Sequence, residues 1–393
     1  MTHLSTWLAW SSLLWAPFAG ESFAGATSPK PLRTAQPPRA SWAQEPASPE
    51  APAAVVLAEL YELGLQAELI ARFASEAKPG GQLAGDPASL ALLVRVLFDA
   101  GRDEQARALL ANPPLDLPTG GRAENTLLIL EQARLALTED DLDLARGLLQ
   151  APRGSELPVL YPEQPDAWLL LAKVFARADR LDAAATLAER FLQMAPLHPE
   201  AGSAWHLRAL DALARGEGPA AEGFLERMRF LNDWHQTVRA RRLQIRESPD
   251  DPLPIYGLGL AFMRVESWNT AAASFDRLLA RFPDYCPGWF QLGEAHRLAG
   301  RNDLALGAYS RGADCDPEDL RPLANRGLLL LSSGQAERAR RDLEVVAAKA
   351  PDDDPDFAPV YLALARELLS DGDELRARDL HARYRALGGS EDL

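Results

Sequence analysis

Apolar residues recur every three or four positions along most of this chain, in short stretches separated by glycine, proline or acidic residues. Trp289, Leu292 and His296 show the spacing, i, i+3 and i+7, which places them along one side of a helix. Gly300 is placed to end this helix. A second apolar stretch follows it and stops at Pro317, which cannot continue a helix. This segment therefore predicts two antiparallel helices.

The same residue types recur 34 residues before and after this segment. Gly293 is matched at this step by Gly259 and Gly327. A small residue at this place lets the two helix backbones approach where they cross, and a fixed period of this size indicates stacked supersecondary units. The positions on the second helix and at its end that recur in the same register are Ala271, Ala305, Ala339, Pro283, Pro317 and Pro351.

These residues resemble those of the tetratricopeptide repeat, at its small positions, its aromatic positions and its terminal proline. The resemblance implies an all-α fold, a right-handed solenoid of about nine stacked antiparallel helix pairs. His296 stands where the family usually has tyrosine, and Arg326 where it usually has leucine. The clearest repeats are residues 165–198, 252–285, 286–319, 320–353 and 358–391.

The region before these repeats is less regular. Residues 54–160 predict helical hairpins at uneven spacing, which we interpret as degenerate repeats, and residues 165–391 form the regular array. The register between residues 232 and 251 stays open, because Trp234–Glu247 is either an additional helix or an extension of the one before it. We expect its arginines to form a solvated helix face; they are Arg239, Arg241, Arg242 and Arg246.

The first 53 residues predict targeting and a tether. Leu4–Ala16 is mainly apolar, and Ala24–Ala26 has the A-x-A form of a cleavage site, so residues 1–26 predict a secretory signal peptide. The start has no Lys or Arg, which leaves an uncleaved anchor or a disordered apolar start as alternatives. Residues 27–53 are rich in Pro and Ala and predict a disordered linker. We expect an exported, periplasmic or extracytoplasmic protein, with no transmembrane span in the mature chain.

Composition and motifs argue against several classes of function. The formal net charge of −15 disfavours nucleic acid as the main partner, because phosphate backbones require a concentrated basic surface. The six histidines lack metal-ligand spacing, and there is no phosphate-binding loop or nucleophile elbow. We therefore expect no catalytic, cofactor-binding or metal-binding residues, and no enzyme activity.

The two cysteines, Cys286 and Cys315, begin the first helix and end the second helix of one predicted unit. They therefore lie at the same end of an antiparallel pair. A disulfide requires Cα atoms within about 7 Å, whereas neighbouring helix axes are about 8–10 Å apart. A bridge is possible, but we expect two free, partly buried thiols.

The family resemblance implies a non-enzymatic scaffold or adaptor that binds a protein or peptide in a concave groove, here in the cell envelope. The alternative is a non-catalytic subunit or regulator of an envelope enzyme complex, such as one for polysaccharide synthesis or export. The sequence does not determine the oligomeric state or the identity of the partner.

The groove should be lined by the side of each first helix that adjoins its core stripe. In the family an asparagine at the place of Asn325 often holds a ligand's main chain, and Arg297 could add a charge-assisted bond to a carboxylate. The alternative is that Phe290 and Met263 simply pack against the adjacent helix. The predicted groove residues are Tyr256, Leu260, Met263, Arg264, Phe290, Gln291, Glu294, Arg297, Asn325 and Leu328.

Overall fold

The computed structural model of the protein describes residues 52–74, 83, 86–111, 126–151 and 158–393. Within these residues there are 18 α-helices and no named β-strand. They are α1 Ala53–Glu62, α2 Gln66–Phe73, α3 Pro87–Asp99, α4 Asp103–Ala111, α5 Thr126–Thr138, α6 Leu142–Leu149, α7 Pro165–Arg177, α8 Leu181–Met194, α9 Ala201–Ala214, α10 Gly218–Glu247, α11 Pro252–Met263, α12 Trp268–Arg281, α13 Cys286–Leu298, α14 Asn302–Cys315, α15 Arg321–Ser332, α16 Ala336–Lys349, α17 Ala358–Ser370 and α18 Glu374–Ala386.

The helices pack as consecutive pairs. Each odd-numbered helix contacts the even-numbered helix that follows it, and most pairs also contact the next pair along the chain. The odd-numbered helices, called first helices below, contact one another in series from α11 to α17. The predicted all-α fold of stacked helix pairs is confirmed.

The recurring glycines set the separation of the two helices in a pair. A Cβ atom built on Gly259 would lie 2.4 Å from the ring of Phe275, and one on Gly293 would lie 2.4 Å from the ring of Tyr309. At Gly327 the nearest atom would be Leu343 Cδ2, at 2.6 Å. Real Cβ atoms do not approach this closely, so each glycine admits a large side chain from the second helix into the crossing point.

The turn inside each pair needs a left-handed residue. Gly300 supplies it between α13 and α14 with φ 74°, and Gly334 does the same one unit later. Glu266 occupies this place one unit earlier with φ 58°, a conformation that costs a residue with a Cβ atom more than it costs glycine. The turn geometry is thus retained even where the sequence lacks the glycine.

Helix α10 resolves the register that the sequence left open. It runs unbroken for 30 residues, so Trp234–Glu247 extends the second helix of its pair and is not an additional helix. The expectation of a solvated arginine face is correct for the exposed Arg239. It is wrong for Arg242, whose side chain is 17% exposed and pairs with Glu62. The sequence could not indicate this pair, because its members lie 180 residues apart.

The expectation of free thiols is wrong. Cys286 and Cys315 are joined by a disulfide, with their Cα atoms 5.5 Å apart. The error came from using the separation of helix axes as the separation of residues. Each Cα lies about 2.3 Å from its axis, so residues on facing sides of two helices come closer than the axes do.

The helix pair α15–α16 is joined by a largely buried ion pair between Arg326 and Asp342. Arg326 Nε and Nη2 donate to the two carboxylate oxygens of Asp342, each at 2.7 Å. Its Nη1 donates to Ser310 Oγ on α14 at 3.0 Å. The side chains of Arg326 and Asp342 are 23% and 11% exposed. The arginine that departs from the family pattern therefore fastens α15 to its own second helix.

The predicted signal peptide and nearly all of the predicted linker lie outside the described residues, and helix α1 begins at Ala53. Among the helices that the structure describes, none is both long enough and apolar enough to cross a membrane.

Candidate functional site

The predicted groove residues all lie on α11, α13 and α15, or at the C-terminal cap of α11. Helix α13 contacts both α11 and α15, so the adjoining sides of the three first helices follow one another along the array. Arg264 is exposed and the other nine residues are partly exposed. We call this surface, formed by these ten residues, the first-helix face.

Glu294 is the centre of a hydrogen-bonded cluster on this face. Arg297 Nη2 donates to Glu294 Oε2 at 2.8 Å, and Asn325 Nδ2 donates to Glu294 Oε1 at 2.7 Å. The Tyr309 hydroxyl donates to the same Oε1. The cluster therefore fixes side chains from α13, α14 and α15 around one carboxylate.

Electrostatics keep two donors of this cluster, Tyr309 and Arg297, protonated. Burial, with the negative charge of Glu294 and the hydrogen bond to it, raises the pKa of the Tyr309 phenol. The hydrogen bond to Glu294 raises the pKa of Arg297. Tyrosine and arginine are already protonated at neutral pH, so Tyr309 remains a donor and Arg297 remains a cation.

A second cluster adjoins the first. The Arg321 guanidinium lies 4.9 Å from the centre of the Phe290 ring, a cation–π arrangement, and donates two hydrogen bonds to Asp319. The Tyr256 ring lies 5.3 Å from that of Tyr285, and burial raises the pKa of Tyr256. Phe290 thus packs beneath a cation and not only against the adjacent helix.

The sequence analysis missed three residues that build this site. They are Tyr309, Arg321 and Asp319, to which it gave no role in the groove. Tyr309 does fill the core position beside Gly293, but its hydroxyl reaches the face. No local pattern indicates this, because the partners of Glu294 lie 15 and 31 residues away in sequence.

Three arginines on and beside the first-helix face are partly exposed to solvent. The side chains of Arg264, Arg297 and Arg321 are 51%, 38% and 41% exposed. Leu260 and Met263 are partly buried against the core cluster of α11 and α12, which leaves only part of each available. The part of the chain that the structure describes contains no group of three or more His, Cys, Asp or Glu side chains that could hold a metal ion.

The N-terminal pairs carry a separate buried charge network. Arg95 Nη2 on α3 lies 2.9 Å from Asp166 on α7 and also bonds Glu131 on α5, whose side chain is 2% exposed. Arg134 extends the network to Glu200 at 2.6 Å. Its opposite charges pair with one another across three successive first helices, so this network joins units and presents little free charge to a ligand.

One member of that network has a strongly shifted pKa. Burial alone would raise the pKa of Glu200, but Arg134 and Lys173 outweigh burial and lower it to about 2. Glu200 is therefore ionised at neutral pH.

A family model for the tetratricopeptide repeat matches residues 130–199 and 256–319. These two stretches are similar to tetratricopeptide repeats. The second stretch covers α12, α13, α14 and residues 256–263 of α11, and so includes much of the first-helix face. The first stretch begins in α5, so the family pattern starts earlier than the regular array predicted from residue 165.

Individual relatives are distant from this repeat protein. The CTR9 homologue of Arabidopsis thaliana is 28% identical over 93 residues, and the match covers 23% of this chain and 8% of that protein. The solved MamA RS-1 ArsTM double mutant is 18% identical with a TM-score of 0.35, covering 48% of this chain and 94% of MamA. YrrB, described as a TPR protein with an unusual peptide-binding site, is 16% identical with a TM-score of 0.26, covering 48% and 88% of the two chains.

Proposed function

We propose that this protein is a non-enzymatic adaptor that binds a protein or peptide along the first-helix face. The observation that carries the proposal is the cluster around Glu294, which holds Arg297 and Asn325 in fixed positions on a partly exposed surface. Side chains that are ordered before binding lose less conformational freedom on binding. A surface that combines aromatic, apolar and cationic groups suits an amphipathic helix or an extended peptide.

The face is tested by adding charge without removing the Glu294 cluster. The variant Met263→Glu with Leu328→Glu places two carboxylates on partly exposed positions of α11 and α15. A matched control, Leu304→Glu with Val345→Glu, makes the same change of charge on second helices α14 and α16, where these side chains are 53% and 40% exposed. Burying an unpaired carboxylate in an interface is costly, so we expect only the first variant to lose partner binding.

The measurement is cross-linked capture from an extract of the native cells, quantified by mass spectrometry, followed by titration of the purified partner. A partner of the face is retained by the wild type and by the control and is lost with Met263→Glu and Leu328→Glu. If both double variants lose partner binding equally, or if both retain it, the assignment of this face is contradicted. The identity of the captured protein also separates a free adaptor from a subunit of an envelope enzyme complex.

We also propose that the adaptor acts outside the cytoplasm. Besides the sequence of residues 1–26, the support is the bond between Cys286 and Cys315, the two cysteines of the chain. Disulfides form and persist in oxidising compartments and are rare in the cytosol.

A further inference from the structure

Helix α10 is about twice as long as the other second helices. It has 30 residues, whereas α12, α14 and α16 each have 14. Its first half packs along α9, as far as Asn232, which lies beside Gly202 at the start of α9. We call residues 233–247 the α10 extension; at 1.5 Å per residue it continues for about 20 Å beyond this pair.

One side of the α10 extension packs against α11. The indole Nε1 of Trp234 donates to the carbonyl oxygen of Ala261 at 2.7 Å, and its ring lies 5.8 Å from that of Phe262. Val238 is buried in the same apolar cluster as Ile255. This side is therefore fixed to the C-terminal part of the array.

An adjacent side of the α10 extension meets the first helix pair. Arg242 Nη1 lies 3.0 Å from Glu62 Oε2 at the end of α1, and Arg246 Nη2 lies 2.8 Å from Glu68 Oε1 on α2. A Cβ atom on Gly64, in the turn between α1 and α2, would lie 2.9 Å from Cδ of the remaining arginine, Arg239. The three arginines, spaced i, i+3 and i+7, thus lie on one side of the helix.

This contact is ionic in character. Among the described residues, the buried apolar cluster of α1 and α2 includes no residue of α10, and the cluster of the α10 extension includes none of α1 or α2. The side chains of Arg246 and Glu68 are 35% and 46% exposed, so solvent ions reach this pair. Charge attraction, and not a shared apolar core, therefore joins the α1–α2 pair to the α10 extension.

We propose that the α10 extension is a salt-sensitive latch, which holds α1 and α2 against the middle of the chain and releases them when its ion pairs are screened. When the latch is closed, α1 and α2 touch the α10 extension. When it is open, α1 and α2 stay attached through their contacts with α3. Release exposes the arginines of α10 and the carboxylates of Glu62 and Glu68 without unfolding the rest of the array.

The experiment is amide hydrogen exchange of the full chain, read by mass spectrometry over residues 53–74. The Debye length falls from about 10 Å at 0.1 M salt to about 3 Å at 1 M. We expect exchange in α1 and α2 to become at least about fivefold faster over this range, while α17 and α18 change little. Unchanged exchange in α1 and α2 would overturn the latch.

Charge reversal gives an independent arm. Arg242→Glu with Arg246→Glu should speed exchange in α1 and α2 at low salt, and adding Glu62→Arg with Glu68→Arg should restore protection. A control on the first half of the same helix, Arg227→Glu with Arg229→Glu, should leave α1 and α2 unchanged. Arg242 is the more buried of the two arginines, so reversing its charge could disturb the fold. Reversing only the exposed pair, with Arg246→Glu and then Glu68→Arg, is a less disruptive form of the same test. If the charge-reversed carboxylates fail to restore protection in either form of the test, the arginines act only within α10, and the latch is contradicted.

Discussion

The approach of α13 to α14 depends on the missing side chain of Gly293. Its Cβ position lies 2.4 Å from two ring atoms of Tyr309, and Tyr309 is fully buried. Because that ring cannot move away without leaving the core, we expect Gly293→Ala to lower the free energy of unfolding by about 1–3 kcal/mol, the usual cost of overpacking. Urea denaturation followed by circular dichroism measures it.

Gly307, on α14 of the same unit, is the matched control. It lies in a helix interior with no atom within 4 Å of its Cβ position. Alanine is favoured over glycine in helices by about 1 kcal/mol, so Gly307→Ala should raise stability. If Gly293→Ala raises stability as Gly307→Ala does, helix propensity and not the crossing distance decides the effect at Gly293.

His198 should make the protein less stable in mild acid. Its Nδ1 accepts the backbone N–H of Glu200 at 3.1 Å, and its Nε2 lies 3.3 Å from Asp166. Protonation of both ring nitrogens would break the first bond. Burial, reinforced by Arg95 and Arg134, lowers the pKa of His198 below its ordinary value of 6.5, although Asp166 and Glu200 oppose this.

The sign of the effect follows from linkage. As pH falls below about 6.5, the unfolded chain binds a proton at this histidine more readily than the folded chain does, so stability decreases. Burial also lowers the pKa of His235 and His296, which act in the same direction. The variant His198→Gln should therefore lose less stability than the wild type between pH 7.5 and 5.5. His206→Gln, at an exposed position, should retain the wild-type pH dependence.

At the scale of single elements, the disulfide should stabilise the α13–α14 pair. Cys286 and Cys315 are separated by 29 residues. Closing a loop of this size restricts the unfolded chain, which stabilises the fold by about 3.6 kcal/mol in the loop-entropy account. Reduction should therefore lower the denaturation midpoint of the wild type. The double variant Cys286→Ala with Cys315→Ala should match the reduced protein and give no response to reductant, and a wild type equally indifferent to reductant would show that the bond adds nothing.

Sequence reasoning succeeded for elements whose determinants are local. Gly259, Gly293 and Gly327 recur at the helix crossings, so the pairs near them could be located from the pattern alone. It failed where a contact depends on how units stack. The partners of Arg242 and Glu294 lie far away in sequence, and neither a hydrophobic period nor a turn signal records such distances. The binding role of the first-helix face stays a prediction, and the hydrogen bonds that order this face were not predicted.

At the scale of the whole molecule, export predicts a defined start for the mature chain. If residues 1–26 are removed as a signal peptide, the protein recovered from cells should begin near Thr27. N-terminal peptide mapping of the extracytoplasmic fraction measures this. A soluble cytosolic protein that still carries Trp7 and Trp10 would exclude the proposal.

The bidentate bond between Arg326 and Asp342 affects whether helices of similar units pair with their correct partners during folding. Units that share one pattern of small and large residues are nearly interchangeable, so a helix from one unit, or from a neighbouring molecule, could dock on the wrong mate during synthesis. The helices α11 and α13 carry Leu258 and Leu292 where α15 carries Arg326, and an arginine buried without a carboxylate would be strongly penalised. Asp342 offers that carboxylate on α16. A polar pair that contributes little net stability can thus make the correct pairing of α15 with α16 more favourable than pairing with a similar helix from another unit.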